Sequence, residues 1–190
     1  MIDNLILDKT FQKENYTKIP LSRGEYDNCT FENCDFSNSE LSNISFTECI
    51  FIDCNLSNTI LKHTVFNQIE FKKCKLLGML FSDCNPFLFS IAFYDCNINH
   101  ASFYQVKMQN TYFGNCSLQG VDFTEANLNK SVFENSDCKL AIFENTQLEN
   151  TDFSMATNYQ IDPEKNQLKK AKFSFPGISG LLTKYNISIK

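Results

Sequence analysis

The chain has no tryptophan, two histidines, four prolines and six glycines in 190 residues. So little proline and glycine argues against a low-complexity or linker-like chain. No run approaches the roughly eighteen uninterrupted apolar residues of a membrane-spanning helix. The start, MIDNLILDKTFQKEN, lacks the basic flank and long apolar core of a secretory signal, which makes the cytoplasm the expected compartment. There is no glycine-rich phosphate loop, no Cys-x-x-Cys pair and no nucleophile–base constellation. An enzyme is therefore not expected, and neither a cofactor nor a metal. The formal net charge is −5, from 22 acids and 17 bases. Neither nucleic acid nor a membrane is expected as a direct partner.

What the chain does have is a period of five. From Gly24 it reads GEYDN, CTFEN, CDFSN, SELSN, ISFTE, CIFID, CNLSN and onward to Phe81. The middle residue of each five is Phe, Leu or Tyr, and extended backwards the spacing picks up Phe11, Tyr16 and Leu21. That makes fifteen consecutive central positions drawn from three residue types that total 43 of the 190 residues. An α-helix turns about 500° in five residues, so a central stripe would drift round its axis. On a straight strand the odd spacing would flip every repeat to the opposite face. The period is satisfied only if the chain turns a corner once per repeat. Four corners close a square coil of about twenty residues, and stacked coils bury one another's interiors as a solenoid.

Nine cysteines invite a disulfide or zinc reading, but their places argue for a core. Cys29, Cys34, Cys49, Cys54, Cys74, Cys84, Cys96 and Cys116 take the small inward slot two before a centre, and Cys138 takes a central slot. Cys34, Cys54 and Cys74 are one coil apart and should stack. Buried free cysteine behaves as a small hydrophobe. His63 and His100 fall in outward slots, away from this column.

Residues 1–23 read as a lead-in, with Lys9 and Glu14 where small residues belong. The repeat body is 24–156. It is broken near 82–92, because Phe81 and the next centre, Phe93, are separated by twelve residues rather than ten. Pro86 suits a corner or bulge there. The spacing predicts two stacks rotated or offset at this break, with Phe87, Leu88 and Phe89 plugging the seam. Centres then continue from Phe93 through Ile98, Phe103 and Met108 to Phe153. From Thr157 the pattern fails, leaving 157–190 as a cap and dimerisation segment. A short helix is expected over about 176–185. Its stripe Ile178, Leu181, Leu182 and Tyr185 falls at i, i+3, i+4, i+7.

Charge is uneven. Residues 24–85 and 91–155 each sum to −5, whereas 1–23 carry +1 and 156–190 carry +4. The acids of the second half fall on two faces. Asp122, Glu125 and Glu144 share the face of Phe103, Phe123 and Phe143. Asp95, Glu134 and Asp152 share the face of Phe93, Phe113 and Phe133. The face of Met108, Leu128 and Leu148 is nearly neutral.

The pattern resembles the pentapeptide repeat family over about Phe11 to Ala156. The resemblance implies an all-β fold, a right-handed quadrilateral β-helix, here with a short C-terminal helix. CKLLGMLFSDC before the break, FSIAFYDCNINHASF after it and the terminal GISGLLTKYNISI are similar to the quinolone-resistance subgroup of Qnr and MfpA type. That subgroup implies a homodimeric rod that imitates duplex DNA, binds DNA gyrase and topoisomerase IV, and protects them from fluoroquinolones. The six acids above would then be the partner-binding surface. Phe175, Ile178, Leu181, Leu182, Tyr185, Ile187 and Ile189 would form the dimer interface. The long projecting loops of some subgroup members are absent here. About seven coils at roughly 4.8 Å make a tower of about 35 Å. Duplex of that length carries about twenty charges, twice the −10 of the tower. The alternative is a structural or protein-interaction solenoid with a different partner.

Overall fold

The structure, a computed structural model, describes residues 4–188. Ile189, the last expected interface residue, lies outside them. The described chain is a parallel β-solenoid with four faces, numbered here in chain order. Face one begins with Ile6 and Tyr26 as its central residues, face two with Phe11 and Phe31, face three with Tyr16 and Phe36, and face four with Leu21 and Leu41. The strands of face two form a continuous nine-stranded parallel sheet, and those of the lower part of face one a four-stranded sheet. Thr30–Glu32 pairs with Ile50–Ile52 residue for residue, Phe31 beside Phe51, which is the twenty-residue coil seen as register. Faces three and four are held by single bridges such as Asp35 with Asn55 and Ser102 with Asp122.

Each five-residue side does three things. Its first and third residues point inward and its second and fourth outward, the alternation of a short strand. Its fifth residue turns the corner in the left-handed region: Asn33, Asn38 and Asn43 have φ of 54°, 55° and 59°. Asparagine tolerates that conformation better than other residues with a side chain, which explains the recurring Asn in the fifth slot. The corner amide then bonds to the next coil, as Asn33 N–H does to the Ile52 carbonyl at 2.9 Å. Backbone polar groups are thus paired between coils.

The centres stack as expected. Phe31 and Phe51 lie 4.8 Å apart and 10° from parallel, and Phe51 and Phe71 5.1 Å apart. Across a corner the rings meet edge to face, as Phe31 and Phe36 do at 71°. Both arrangements suit the ring quadrupole. All nine cysteines are free and buried. Their slot is not purely apolar, however. Cys54 Sγ donates to the carbonyls of Phe31 and Ile52, each at 3.3 Å. Thr64 fills an equivalent slot and donates to the Leu41 carbonyl at 2.8 Å.

The break falls mainly on one face. On face two Ile69–Lys72 pairs directly with Ile91–Tyr94, and on faces three and four Lys75 bridges Asn97 and Leu80 bridges Ser102. The offset of two stacks expected from the spacing is therefore absent on three faces. Face four bends into a 3₁₀ turn after Leu80, and face one changes most: its regular strands end at Val65–Asn67, and the two extra residues bulge outward above them. Asn85 N–H still bonds to Thr64 and Ser90 N–H to Phe66, so the chain rejoins its register within the coil. Of the expected plug, only Phe89 turns inward, its ring 6.4 Å from Phe81. Phe87 and Leu88 are 70% and 58% exposed. Among the described residues no peptide bond is cis, so Pro86 follows a trans bond. A 3₁₀ turn at Phe81–Asp83 is the one helical piece within the repeats.

The coil also continues past Thr157, where the spacing predicts failure. Lys172–Phe173 pairs with Asp152–Phe153, and Gln147 bridges Gln167. LKKAKF therefore spans the first two sides of a ninth coil, with Lys170 at the corner between them. Asn166 fills its small inward slot, donating to the Phe143 carbonyl and accepting from Thr146 N–H, both at 2.9 Å. The expected helix is two 3₁₀ turns, Pro176–Leu181 and Thr183–Tyr185. The first turn lies close against Tyr159: a Cβ on Gly180 would run into the Tyr159 carbonyl oxygen, and one on Gly177 into its hydroxyl. The i, i+3, i+4, i+7 stripe of an α-helix therefore does not exist as such. Leu181 packs against the core and closes the stack.

Candidate functional site

The tower offers outward residues rather than a cleft. A groove of about 650 Å³ lies beneath the C-terminal cap and is lined by Tyr159, Ser174, Ser179 and Thr183, with Lys139 its one charged side chain. It holds no carboxylate. Among the described residues no three His, Cys, Asp or Glu are grouped to hold a metal ion. Polar chemistry resides on the four faces and their corners.

On face four, Asp122 bridges Ser102 and Ile142 in neighbouring coils, and its carboxylate accepts from Thr124 N–H at 2.9 Å. Glu125 sits at the corner with φ 58°. Its N–H donates to the Glu144 carbonyl at 2.8 Å, so the structure brings these two acids to adjacent coils. The Glu125 carboxylate accepts from Gln105 at 2.7 Å. Glu144 pairs with Lys165 at 2.8 Å. On face two, Asp95 occupies a corner and accepts from Asn115 at 3.1 Å. Glu134 accepts from the Tyr112 hydroxyl at 2.6 Å. That bond, followed by burial, pushes the Tyr112 phenol up to about 12. Asp152 lies at the opposite edge of the face and pairs with Lys172 at 3.1 Å. Burial opposes its charge, but bonds from Ser154 and Lys172 hold its carboxyl below the ordinary range.

The six acids therefore do not form one stripe. Asp122, Glu125 and Glu144 cluster on one face. Asp95 and Glu134 share one edge of another, and Asp152 stands at its far edge. Lysines of the ninth coil, Lys165 and Lys172, partly neutralise two of them. Sequence reasoning missed this because residues 157–190 read as a cap and dimerisation segment rather than as a continuing coil. It also missed the vertical polar ladders that fasten coil to coil: Gln12 to Glu32 at 2.7 Å, Asn28 to Asp8 at 2.7 Å and Asn127 to Gln147 at 2.8 Å. Their signal was the recurrence of amides and acids at twenty-residue spacing.

The C-terminal segment exposes several apolar side chains. Phe175 is 89% exposed, with Ile178, Tyr185 and Ile187 also open to solvent. Leu181 and Leu182 are half-buried. Lys184 pairs with Asp162 at 2.9 Å and Glu164 at 2.6 Å, tying the 3₁₀ turns to the last coil.

Residues 25–103 and 85–153 match the family model described as the pentapeptide repeat region. No curated protein matches the chain significantly. Two trypsin-treated variants of QnrB1, described as a plasmid-mediated fluoroquinolone resistance protein, superpose on nearly the whole tower. The first covers 98% of this chain and 100% of its own at a TM-score of 0.65 and 19% identity, the second 97% and 99% at the same score and identity. HetL, a pentapeptide repeat protein of the cyanobacterium Nostoc, covers 91% of this chain and 87% of its own at 14% identity and a TM-score of 0.46. The QnrB1 superpositions and the coil register agree on one architecture, and the family match spans most of the tower: the chain belongs to the pentapeptide repeat family.

Proposed function

We propose that the protein binds a type II topoisomerase, DNA gyrase or topoisomerase IV, as a mimic of duplex DNA, and protects it from fluoroquinolones. The observation that carries this reading is the acidic cluster of Asp122, Glu125 and Glu144 on two adjacent coils of one face, on a solenoid whose longest sheet stacks nine strands. Eight intervals of about 4.8 Å give a ladder height of about 38 Å. A basic DNA-binding saddle is steered toward such a surface by its charge. The fold likeness to QnrB1 supports the shape.

The same reading pairs two towers end to end. Phe175, Ile178, Tyr185 and Ile187 present an exposed apolar patch at the C-terminal end, and such patches mark interfaces. A two-fold pairing would be isologous and would double the ladder to about 76 Å. Purified gyrase subunits test the proposal by pull-down. The wild type should be retained, and the Asp122→Asn, Glu125→Gln double variant and the dimer-breaking Ile178→Glu should be retained much less. Equal retention of all three would refute it.

A further inference from the structure

The corner between faces one and two carries a charge order that reverses about the bulge. Below the bulge it holds Asp8, Asn28, Glu48 and Gln68; above it come Asn110, Lys130, Asn150 and Lys170. All eight are left-handed, with φ between 50° and 63°, and all are exposed. Leu88, in the coil between the two groups, is left-handed too and 58% exposed, beside Phe87 at 70%. Read upward, the corner is acid, amide, acid, amide, an apolar knob, amide, base, amide, base.

This order is self-complementary. A two-fold axis across the tower at the level of Leu88 reverses the coils while keeping the strand direction. It sets each coil against the one equally far from the opposite end. Asp8 then faces Lys170 of a second copy, Glu48 faces Lys130, Asn28 faces Asn150 and Gln68 faces Asn110. The exposed Phe87–Leu88 knob meets its own copy at the centre. We propose that this corner is a self-association surface, through which two copies of the chain pair side by side and antiparallel. An apolar centre flanked by polar and charged positions is the usual anatomy of a specific interface.

Three observations bear on the occupant. The charges are opposite at both charged pairs, Asp8 with Lys170 and Glu48 with Lys130, and each pair occurs twice by symmetry. Among the described residues Glu48, Lys130 and Lys170 enter no ion pair within the chain, so their charges are available. The footprint, about 38 Å by about 10 Å, covers about 400 Å² per copy. Two copies give about 800 Å², below the roughly 1,200 Å² of a stable complex, so the pairing is weak and reversible. On the adjoining face Asp27 would meet Glu149, like against like, which weakens it further. The surface is separate from the C-terminal apolar patch, and the inference does not depend on the topoisomerase reading.

Sedimentation velocity of the full chain tests it, with Glu48→Lys, Lys130→Glu and the double exchange, each checked for an unchanged β spectrum. Raising salt from about 0.01 M to about 1 M shortens the Debye length from about 30 Å to about 3 Å. The wild type should shed mass over that range, whereas apolar end-to-end pairing should persist. Each single variant should weaken the salt-sensitive step about tenfold, since two pairs become like-charged, and the double exchange should restore it. A wild-type mass independent of salt, or a double variant no better than the singles, overturns the proposal. So does a Glu48→Lys variant that loses gyrase binding while self-association is unchanged, because the corner would then face the topoisomerase.

Discussion

The rings of Phe81 and Phe103 lie face to face, 4.5 Å apart and 6° from parallel, although two inserted residues separate their coils in sequence. Phe103 continues the stack to Phe123 at 5.3 Å and meets Phe93 and Phe113 edge-on. The core therefore passes through the junction unbroken, and the tower should unfold as one unit. Phe103→Ala removes a wholly buried ring and should cost about 3–5 kcal/mol. Phe173, half-buried at the end of its column, should cost less. Urea unfolding of both variants checks the order, and separate transitions for the two halves would contradict a continuous core.

Leu140 turns a corner with φ 59° while 70% exposed. A branched apolar residue is strained there and gains little from burial. Leu140→Asn should raise stability by about 0.5–1 kcal/mol. A lower midpoint in thermal unfolding would mean that the Leu140 side chain makes contacts that outweigh the strain.

Cys54→Ser should be nearly neutral, within about 1 kcal/mol. The carbonyls of Phe31 and Ile52 that receive the thiol can receive a hydroxyl, as those around Ser136 already do at 3.1 and 3.2 Å. Cys54→Ala, which leaves those contacts unmade, should be worse than Ser. The reverse order in chemical denaturation would show that the slot is apolar after all.

Alkali should destabilise the fold. Burial above all pushes the Cys34 thiol up to about 11 and those of Cys49 and Cys116 to about 12, from an ordinary 9.0. The unfolded chain loses these protons first, so above about pH 9 it binds fewer protons than the native state. Stability is then full below that pH and falls as pH rises through 9 toward 12. Urea midpoints between about pH 8 and pH 10.5 should decline steadily. A flat profile would contradict the burial of the thiols.

Most of the fold was legible because one physical constraint, a corner every five residues, is written into each repeat by a small residue, a large one and an asparagine. The centres Phe31, Phe51 and Phe71 followed directly. The junction was misread because spacing counts residues but not where they go: Phe89 turns inward, so the extra two leave the ladder as Phe87 and Leu88. The ninth coil was missed because Asn166 stands in a slot filled mostly by small or apolar residues, and satisfies its amide against Phe143. The six acids were legible as outward residues. Their partners Lys165, Lys172 and Tyr112 were not, because those contacts join residues about one coil apart.

The most direct measurement is supercoiling by purified gyrase with a fluoroquinolone present, titrated with the protein. The expected result is a concentration-dependent restoration of supercoiling, lost in the Asp122→Asn, Glu125→Gln double variant whose fold is unchanged. Supercoiling unaffected by the wild type, with and without the drug and at concentrations where the protein is fully folded, would contradict the topoisomerase reading.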